Sequence, residues 1–376
     1  MNIGILGGGQ LARMLIESCE GTDNIFSVMT SEKNSPAGEI ADTEFIGDWN
    51  NENDLKEFAK KCDCITLENE FIDADKIKFL ESVCPQVNPS SEVIRLVQDK
   101  LIQKEFLKKA GIPVAEFKEV KNAEDVLAFS ETYSFPLVLK SRTMGYDGKG
   151  NYLIRNKDEI GTAIKELSAR GELMCEAFVN FERELAVQAV RNDKGEIKIY
   201  PVVETIQKDH ICHLVLASQE MNNERSAAIN KFAEKILNEL NYVGVIGIEM
   251  FLLKNGSILV NELAPRVHNS GHHTIESCET SQFRNHINAV TGSNLGGTKM
   301  NTGNAVMINI LGRKNGIVKD EKAEMFVNKQ NRVYLHLYGK KEDRVGRKMG
   351  HITLTGTENI STLTERAVQL REKIKL

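Results

Sequence analysis

Between Gly247 and Glu262 two apolar runs are joined by Asn255-Gly256, the strongest short-range signal for a β-hairpin. A two-residue turn there sets Lys254 opposite Ser257, and each further facing pair follows by counting outward. Glu249 and Glu262 fall on one such pair, so the register predicts two carboxylates face to face, with Cβ atoms about 4.5–5.5 Å apart. Like charges at that separation destabilise a hairpin unless something compensates. A hard divalent cation does so, and Mg²⁺ held between carboxylates and phosphates is the common arrangement. Asn261 adds an oxygen donor beside Glu262. One protonated Glu, or an Arg or Lys bridging both, would also relieve the conflict.

The first ninety residues have a different pattern. Residues 2–6 read as a strand, Gly7-Gly8-Gly9 as a turn, and Gln10 to Cys19 as a helix. Residues 25–29 and 62–67 read as further strands, with a helix over 54–61, and this alternation predicts a parallel α/β sheet. One long helix is expected from Glu92 to Ala110, stopped by Gly111-Ile112-Pro113 and carrying Lys100. Strands and helices mix from Val114 to about Leu295, and the last segment is β-rich before a closing helix. The expected division is 1–90, 91–300 and 301–376, with Pro89-Ser90-Ser91 as the first linker.

Composition removes several classes. With 48 basic and 53 acidic residues the net charge is −5, which argues against a general nucleic-acid binder. No apolar run reaches the length of a transmembrane helix, and the start of the chain has no basic leader, so neither a membrane span nor a signal peptide is expected. Seven scattered cysteines point to reduced thiols in the cytoplasm. Cys62 and Cys64, on one face of a strand, read as core thiols.

Gly7, Gly9 and Ala12 satisfy the dinucleotide-binding pattern, with Glu32 about 20 residues on. The reading favours a phosphate-bearing ligand at that helix end without requiring NAD. Lys140 ends an apolar strand, so its ammonium should emerge at a sheet edge beside the glycine-dense loop 144–150. Lysine suits phosphate as a point charge, and the glycines let a loop close over a nucleotide. In residues 266–273 the histidines do not match zinc-site spacing, and an anion site built on Arg266 and His268 fits better. Lys340, Lys341, Arg344, Arg347 and Lys348 crowd one connection, either as a solvated loop or as a site for a ligand phosphate.

These motifs, in this order, resemble the ATP-grasp superfamily, and within it the N5-carboxyaminoimidazole ribonucleotide synthetases. The resemblance rests on Gly7 to Leu11, on Lys140 with Gly145 to Gly150, on Asn261 to His272, and on Tyr338 to Lys340 with Gly346 to His351. It implies an α/β and α+β chain: an N-terminal Rossmann-like parallel sheet, a central ATP-grasp domain and a small β-rich C-terminal domain. The implied reaction carboxylates 5-aminoimidazole ribonucleotide with bicarbonate and ATP through carboxyphosphate.

In that family's terms Glu249 and Glu262 hold Mg²⁺, with Mn²⁺ as a substitute, and Lys100 and Lys140 meet the ATP phosphates. Gly145, Tyr146, Asp147, Gly148, Lys149, Gly150 and Asn151 belong to the nucleotide loop. Glu176, Ala177, Phe178 and Val179 line the adenine, Glu184 takes the ribose, and Asn261 joins Glu262 at the nucleotide. Arg266, His268 and Asn269 are catalytic, holding bicarbonate and carboxyphosphate. Gln10, Leu11, Glu68, Tyr146, Asp147, Lys149, Lys340 and Arg347 hold the aminoimidazole nucleotide. Gln207 stands where the family usually carries His near the nucleotide. A cytoplasmic homodimer is the family expectation. Competing readings are another ATP-grasp ligase (a formate-dependent ribonucleotide formyltransferase or a biotin carboxylase-like enzyme), a nicotinamide dehydrogenase, and a nucleotide-binding regulator without turnover.

Overall fold

A computed structural model describes the chain except residues 144, 146–149, 222–223, 315, 318–331 and 375–376. Its first sheet is parallel, ordered Thr43–Ile46, Ile25–Thr30, Asn2–Leu6, Cys64–Leu67. The chain winds outward from Asn2–Leu6 on one side and returns on the other. The C-terminal ends of Asn2–Leu6 and Cys64–Leu67 therefore flank a topological switch point, where open α/β sheets bind ligands. Thr43–Ile46 is an added edge strand, half exposed and too short to show a period.

A second, antiparallel sheet runs Phe117–Val120, Leu173–Ala177, Leu137–Ser141, Asn151–Ile154. Lys140 lies on an inner strand of it, between Asn151 and Met174, and not at a sheet edge as expected. The third and largest sheet begins with the hairpin Gly244–Leu253 and Ile258–Ala264, continues through Phe181–Arg191, Val203–Lys208 and Ile211–Ser218, and adds Asn304–Leu311, Lys348–Gly356 and Val333–Leu337. The β-rich segment after residue 300 thus extends this sheet, and Ile360–Lys373 closes it as a helix. Ile5, Leu15, Val190, Met307 and Tyr338 share one buried cluster, so the first sheet, the largest sheet and the last segment form a continuous wall.

The expected long helix is two helices, Ser91–Gln98 and Lys100–Lys109, broken at Asp99. Asp99 adopts extended angles and its carboxylate accepts from Leu101 N at 2.9 Å and Ile102 N at 3.2 Å, an N-cap. Arg142 fixes that carboxylate through Nη2 at 2.6 Å. The break makes Lys100 the first residue of a helix instead of a mid-helix residue.

Candidate active site

The hairpin carries the carboxylate pair, by a route the sequence did not show. Leu253 N donates to Ser257 O at 2.9 Å and Gly256 N to Leu253 O at 2.8 Å, leaving three residues in the loop with Gly256 at φ +84°. The register is one residue off the two-residue expectation, as in Met250 opposite Val260. It then shifts between Met250 and Glu249, where Asn261 is the extra residue of a bulge. The bulge brings Glu249 opposite Glu262 and turns Asn261 into the same cleft.

Burial first, then repulsion from Glu262 and Glu184, raises the Glu249 carboxyl to about 7. Lys100 Nζ donates to Glu262 Oε1 at 2.5 Å, so a lysine does partner the pair, though only one member of it. Burial pulls Lys100 down, but the Glu262 carboxylate more than offsets this and raises it. Two facing carboxylates, one strained toward protonation by the other, with an amide oxygen alongside, fit a hard divalent cation whose remaining ligands come from phosphates. Among the described residues no group of three or more His, Cys, Asp or Glu could hold a metal by itself. The three histidines after Arg266 do not converge: His268 faces Glu249, His272 Nδ1 meets Gln282, and His273 Nδ1 meets Ser277.

Lys140 Nζ lies 2.6 Å from Glu176 Oε2, and Lys104 Nζ lies 3.3 Å from Glu176 Oε1. Burial alone would raise Glu176, yet these ammoniums pull it down to about 2. Glu70 behaves alike: burial opposes, and Arg266 holds it below the usual carboxylate range. Both groups have folded values below their unfolded ones. The stability they contribute is present above about pH 4.5 and is lost as pH falls through the folded values, near 2 for Glu176. The expected result is a denaturation midpoint that declines between pH 4.5 and 2, with a shallower decline in Glu176→Gln. Equal slopes in both proteins would remove Glu176 from the account.

At the switch point, Gly9 N donates to Glu68 Oε1 at 2.8 Å and Ala12 N to Glu68 Oε2 at 3.2 Å. The helix end expected to hold a phosphate holds the Glu68 carboxylate; burial raises that carboxyl, and the two N–H bonds oppose the rise only in part. A Cβ on Gly7, at φ +110°, would lie 2.3 Å from Glu68 Cγ, so the glycine serves the close approach of this side chain. Glu32 is exposed and does not line the cleft, and the dinucleotide pattern has no acidic partner here.

Arg266 is clamped by Glu70, with Nε 2.5 Å from Oε2 and Nη2 2.9 Å from Oε1. His268 receives Ser270 N at Nδ1 (3.4 Å), leaving Nε2 to face Glu249 Oε1 at 3.3 Å. Burial, with Arg266 and Lys348 nearby, drops His268 to about 3, so it is uncharged at neutral pH. Asn269 and Asn309 exchange reciprocal amide bonds of 3.0 and 2.7 Å.

One cleft of about 710 Å³ joins these groups. Of the residues singled out from sequence, Gln10, Leu11, Glu68, Lys140, Gly145, Asn151, Glu176, Ala177, Phe178, Val179, Glu184, Gln207, Glu249, Asn261, Glu262, Arg266, His268, Asn269, Lys340 and Arg347 line it. Lys100 lines an adjoining pocket of about 250 Å³ with Glu70, Gly145 and Glu262. Gly150 lines neither; its carbonyl accepts from Ser141 N at the loop base. Tyr146, Asp147, Gly148 and Lys149 lie outside the described residues. Lys340 Nζ bridges Gln10 Oε1 and the Lys348 carbonyl, while Arg347 Nη1 donates to Glu342 O at 2.9 Å.

Sequence reasoning missed Glu70 and Lys104, and it weighed Lys348 only as one of five basic residues that form a solvated loop or a phosphate site. Glu70 lies two residues after Glu68, past the C-terminal end of the strand Cys64–Leu67, and Lys104 is one helical turn from Lys100; both spacings were available signals. All seven cysteines are free, and burial raises the Cys62 and Cys64 thiols to about 12, as inert core thiols should be.

Two sheets that close on one cleft, one bringing a lysine and the other a facing carboxylate pair, are the arrangement of an ATP-grasp ligase. A family model for the ATP-grasp domain matches residues 105–283. Flanking it, the ribonucleotide synthetase preATP-grasp domain matches 1–98, and the phosphoribosylaminoimidazole carboxylase C-terminal domain matches 305–365. The N5-carboxyaminoimidazole ribonucleotide synthase of Synechocystis sp. is 37% identical, over 94% of this chain and 91% of its own length. The chain belongs to the N5-carboxyaminoimidazole ribonucleotide synthase family.

Phosphoribosylaminoimidazole carboxylase of Saccharomyces cerevisiae is 40% identical over 94% of this chain, but the chain spans only 63% of that longer relative. The crystal structure of N5-carboxyaminoimidazole synthase from Aspergillus clavatus, in complex with ADP and 5-aminoimidazole ribonucleotide, superposes with a TM-score of 0.89 at 34% identity, covering 99% of each chain. Among the described residues no helix is long and apolar enough to cross a membrane.

Proposed function

We propose that this chain catalyses the ATP-dependent carboxylation of 5-aminoimidazole ribonucleotide by bicarbonate, giving N5-carboxyaminoimidazole ribonucleotide, ADP and phosphate, as a step of purine biosynthesis. The observation that carries this reading is the single cleft onto which Glu249, Glu262, Lys140, the Arg266–His268 segment and the Lys340/Arg347 motif all open. ATP enters against Ala177 to Val179, with Glu184 and Gln207 toward the ribose and Gly145 and Asn151 toward the phosphates. Lys140 and Lys100 take phosphate oxygens. Glu249 and Glu262, with Asn261, hold Mg²⁺ or Mn²⁺, which when bound offsets charge on the phosphoryl oxygens.

Arg266, kept in plane by Glu70, pairs with bicarbonate through its fork of donors. A bicarbonate oxygen forms a bond to the γ-phosphorus as the bond to the β-phosphate oxygen breaks, releasing ADP. The resulting carboxyphosphate splits into CO₂ and phosphate, and the exocyclic amine captures the carbon as its proton leaves. Neutral His268 supplies hydrogen bonding without adding charge, and a closed cleft keeps water from the labile intermediate. Lys340 and Arg347 hold the ribonucleotide phosphate, with Gln10, Leu11 and Glu68 beside them; Tyr146, Asp147 and Lys149 complete that subsite. The division at residues 90 and 300, a homodimer and a cytoplasmic location belong to the same reading.

The test is Mg²⁺-dependent ADP release measured with each substrate omitted in turn. Product formation requiring ATP, bicarbonate and the ribonucleotide together is expected; ATP turnover indifferent to the ribonucleotide would move the acceptor elsewhere. A charge-assisted bond to phosphate contributes about 1.5–3 kcal/mol, so Arg347→Ala should raise the KM for the ribonucleotide by roughly 10- to 100-fold. The KM for ATP should stay within about twofold. Equal rises for both ligands would contradict the assignment.

A further inference from the structure

Glu176 is buried, and two ammonium ions stand around its one carboxylate. Neutralising a buried carboxylate takes one counter-ion, and a second adds its own desolvation cost. The two are not equivalent. Lys140 faces the cleft, its side chain is 13% exposed, and it holds Oε2 at 2.6 Å. Lys104 is 3% exposed, lines neither the cleft nor the adjoining pocket, and stands 3.3 Å from Oε1, which makes no aligned hydrogen bond. Lys104 Nζ also lies 3.4 Å from the Val260 carbonyl. Burial, opposed by Glu176 and joined by the like charge of Lys140, pulls Lys104 down to about 8.

The surplus charge has a purpose if Lys140 must change partners. On the reading above, on which this inference rests, Lys140 meets an ATP phosphate, and to do so it leaves Glu176. A buried carboxylate stripped of its only counter-ion would pull Lys140 back. Lys100 faces the same exchange at Glu262, but there the incoming divalent cation takes over the carboxylate. No cation arrives at Glu176. We propose that Lys104 is the standing counter-ion of Glu176: a positioning residue that releases Lys140 to the nucleotide without touching ATP itself. Helix geometry supports the division of labour, since Lys100 and Lys104 lie one turn apart on one helix, the first toward the carboxylate pair and the second toward Glu176.

Rescue distinguishes this from a packing role. Lys104→Met should raise the KM for ATP at least about tenfold, because a buried carboxylate then competes for Lys140, and the KM values for bicarbonate and ribonucleotide should stay within about twofold. In a Glu176→Gln background the same Lys104→Met change should alter ATP affinity by no more than about threefold relative to Glu176→Gln alone, since no buried charge remains for Lys140 to abandon. Lys104→Arg, which keeps the charge, should bind ATP nearly as well as wild type. A wild-type KM for ATP in Lys104→Met, or an equal loss from Lys104→Met in the Glu176→Gln background, overturns the proposal. If Lys104→Met alone does not fold, the double variant still decides: weaker ATP binding by it than by Glu176→Gln alone overturns the proposal as well. Lys140→Met is the separate control. An unchanged KM for ATP in that variant shows that the underlying placement of Lys140 on phosphate has failed, and the inference with it.

Discussion

Glu262→Gln is expected to lower ADP release by about 10³-fold or more, because it removes half of the carboxylate pair proposed for the divalent cation, and such ions stabilise phosphoryl transfer by several kcal/mol. The substitution keeps the shape of the side chain on a strand otherwise held by apolar pairs such as Met250 with Val260. A Gln oxygen can still accept from Lys100, but the ammonium loses its counter-charge, so the melting temperature should fall by a few degrees with the fold kept. The Glu262 side chain is 42% exposed, so its loss leaves no sealed cavity. A second readout is local: with the opposing charge gone, the Glu249 carboxyl should drop from about 7 toward the ordinary range, visible by NMR titration. Turnover near the wild-type rate would sink the cation assignment, whereas a large fall in melting temperature would make the variant uninformative about chemistry and move the test to Glu249→Gln.

The second large effect concerns Glu70. Both members of the Glu70–Arg266 pair are about one-fifth exposed and joined by two parallel bonds. Removing one partner of a buried pair costs about 3–5 kcal/mol, and this pair should fall toward the lower figure because some water reaches it. Glu70→Ala is thus expected to destabilise the fold measurably and to lower kcat/KM for bicarbonate by roughly 100-fold, since the guanidinium loses its fixed plane. The double variant Glu70→Leu/Arg266→Met separates the two roles: it should recover most of the stability while remaining inactive. Recovery of activity in that double variant would show that the clamp is structural and that Arg266 does not hold bicarbonate.

The hairpin shows how far sequence alone could reach. The facing pair Glu249/Glu262 was read from a two-residue turn, and the turn in fact leaves three residues in the loop. The bulge at Asn261 adds one residue on the return strand and cancels that error. Neither irregularity has a local signature, because Met250 to Leu253 and Ile258 to Val260 are continuous apolar runs with no period that a one-residue shift would break. The parallel sheet was legible for the opposite reason: its buried strands are near-continuous apolar runs, which tolerate an error of a residue or two at each end. The break at Asp99 was not, since buried Val93, Ile94 and Val97 continue into Leu101 and Leu107 as one helix would. Only Arg142, 43 residues away, marks the capping side chain for that role. The partners of Lys140 and Arg266 were hidden for the same reason. Each is a carboxylate, Glu176 or Glu70, delivered by a different element, and periodicity carries no information about which distant charge will meet which.

The bridge from Lys340 to Gln10 spans 330 residues, and it joins the first glycine turn to the last basic loop. A ribosome therefore makes the carboxylate hairpin and the Lys140 strand well before the loop that closes the Gln10 end of the same cleft. Until residues 338–351 emerge and dock, that cleft has no wall on its Gln10 side. Contacts this distant form late, after the large entropy of loop closure has been overcome. Closure of the cleft at its Gln10 end therefore waits on the return of residues 338–351 to the first glycine turn.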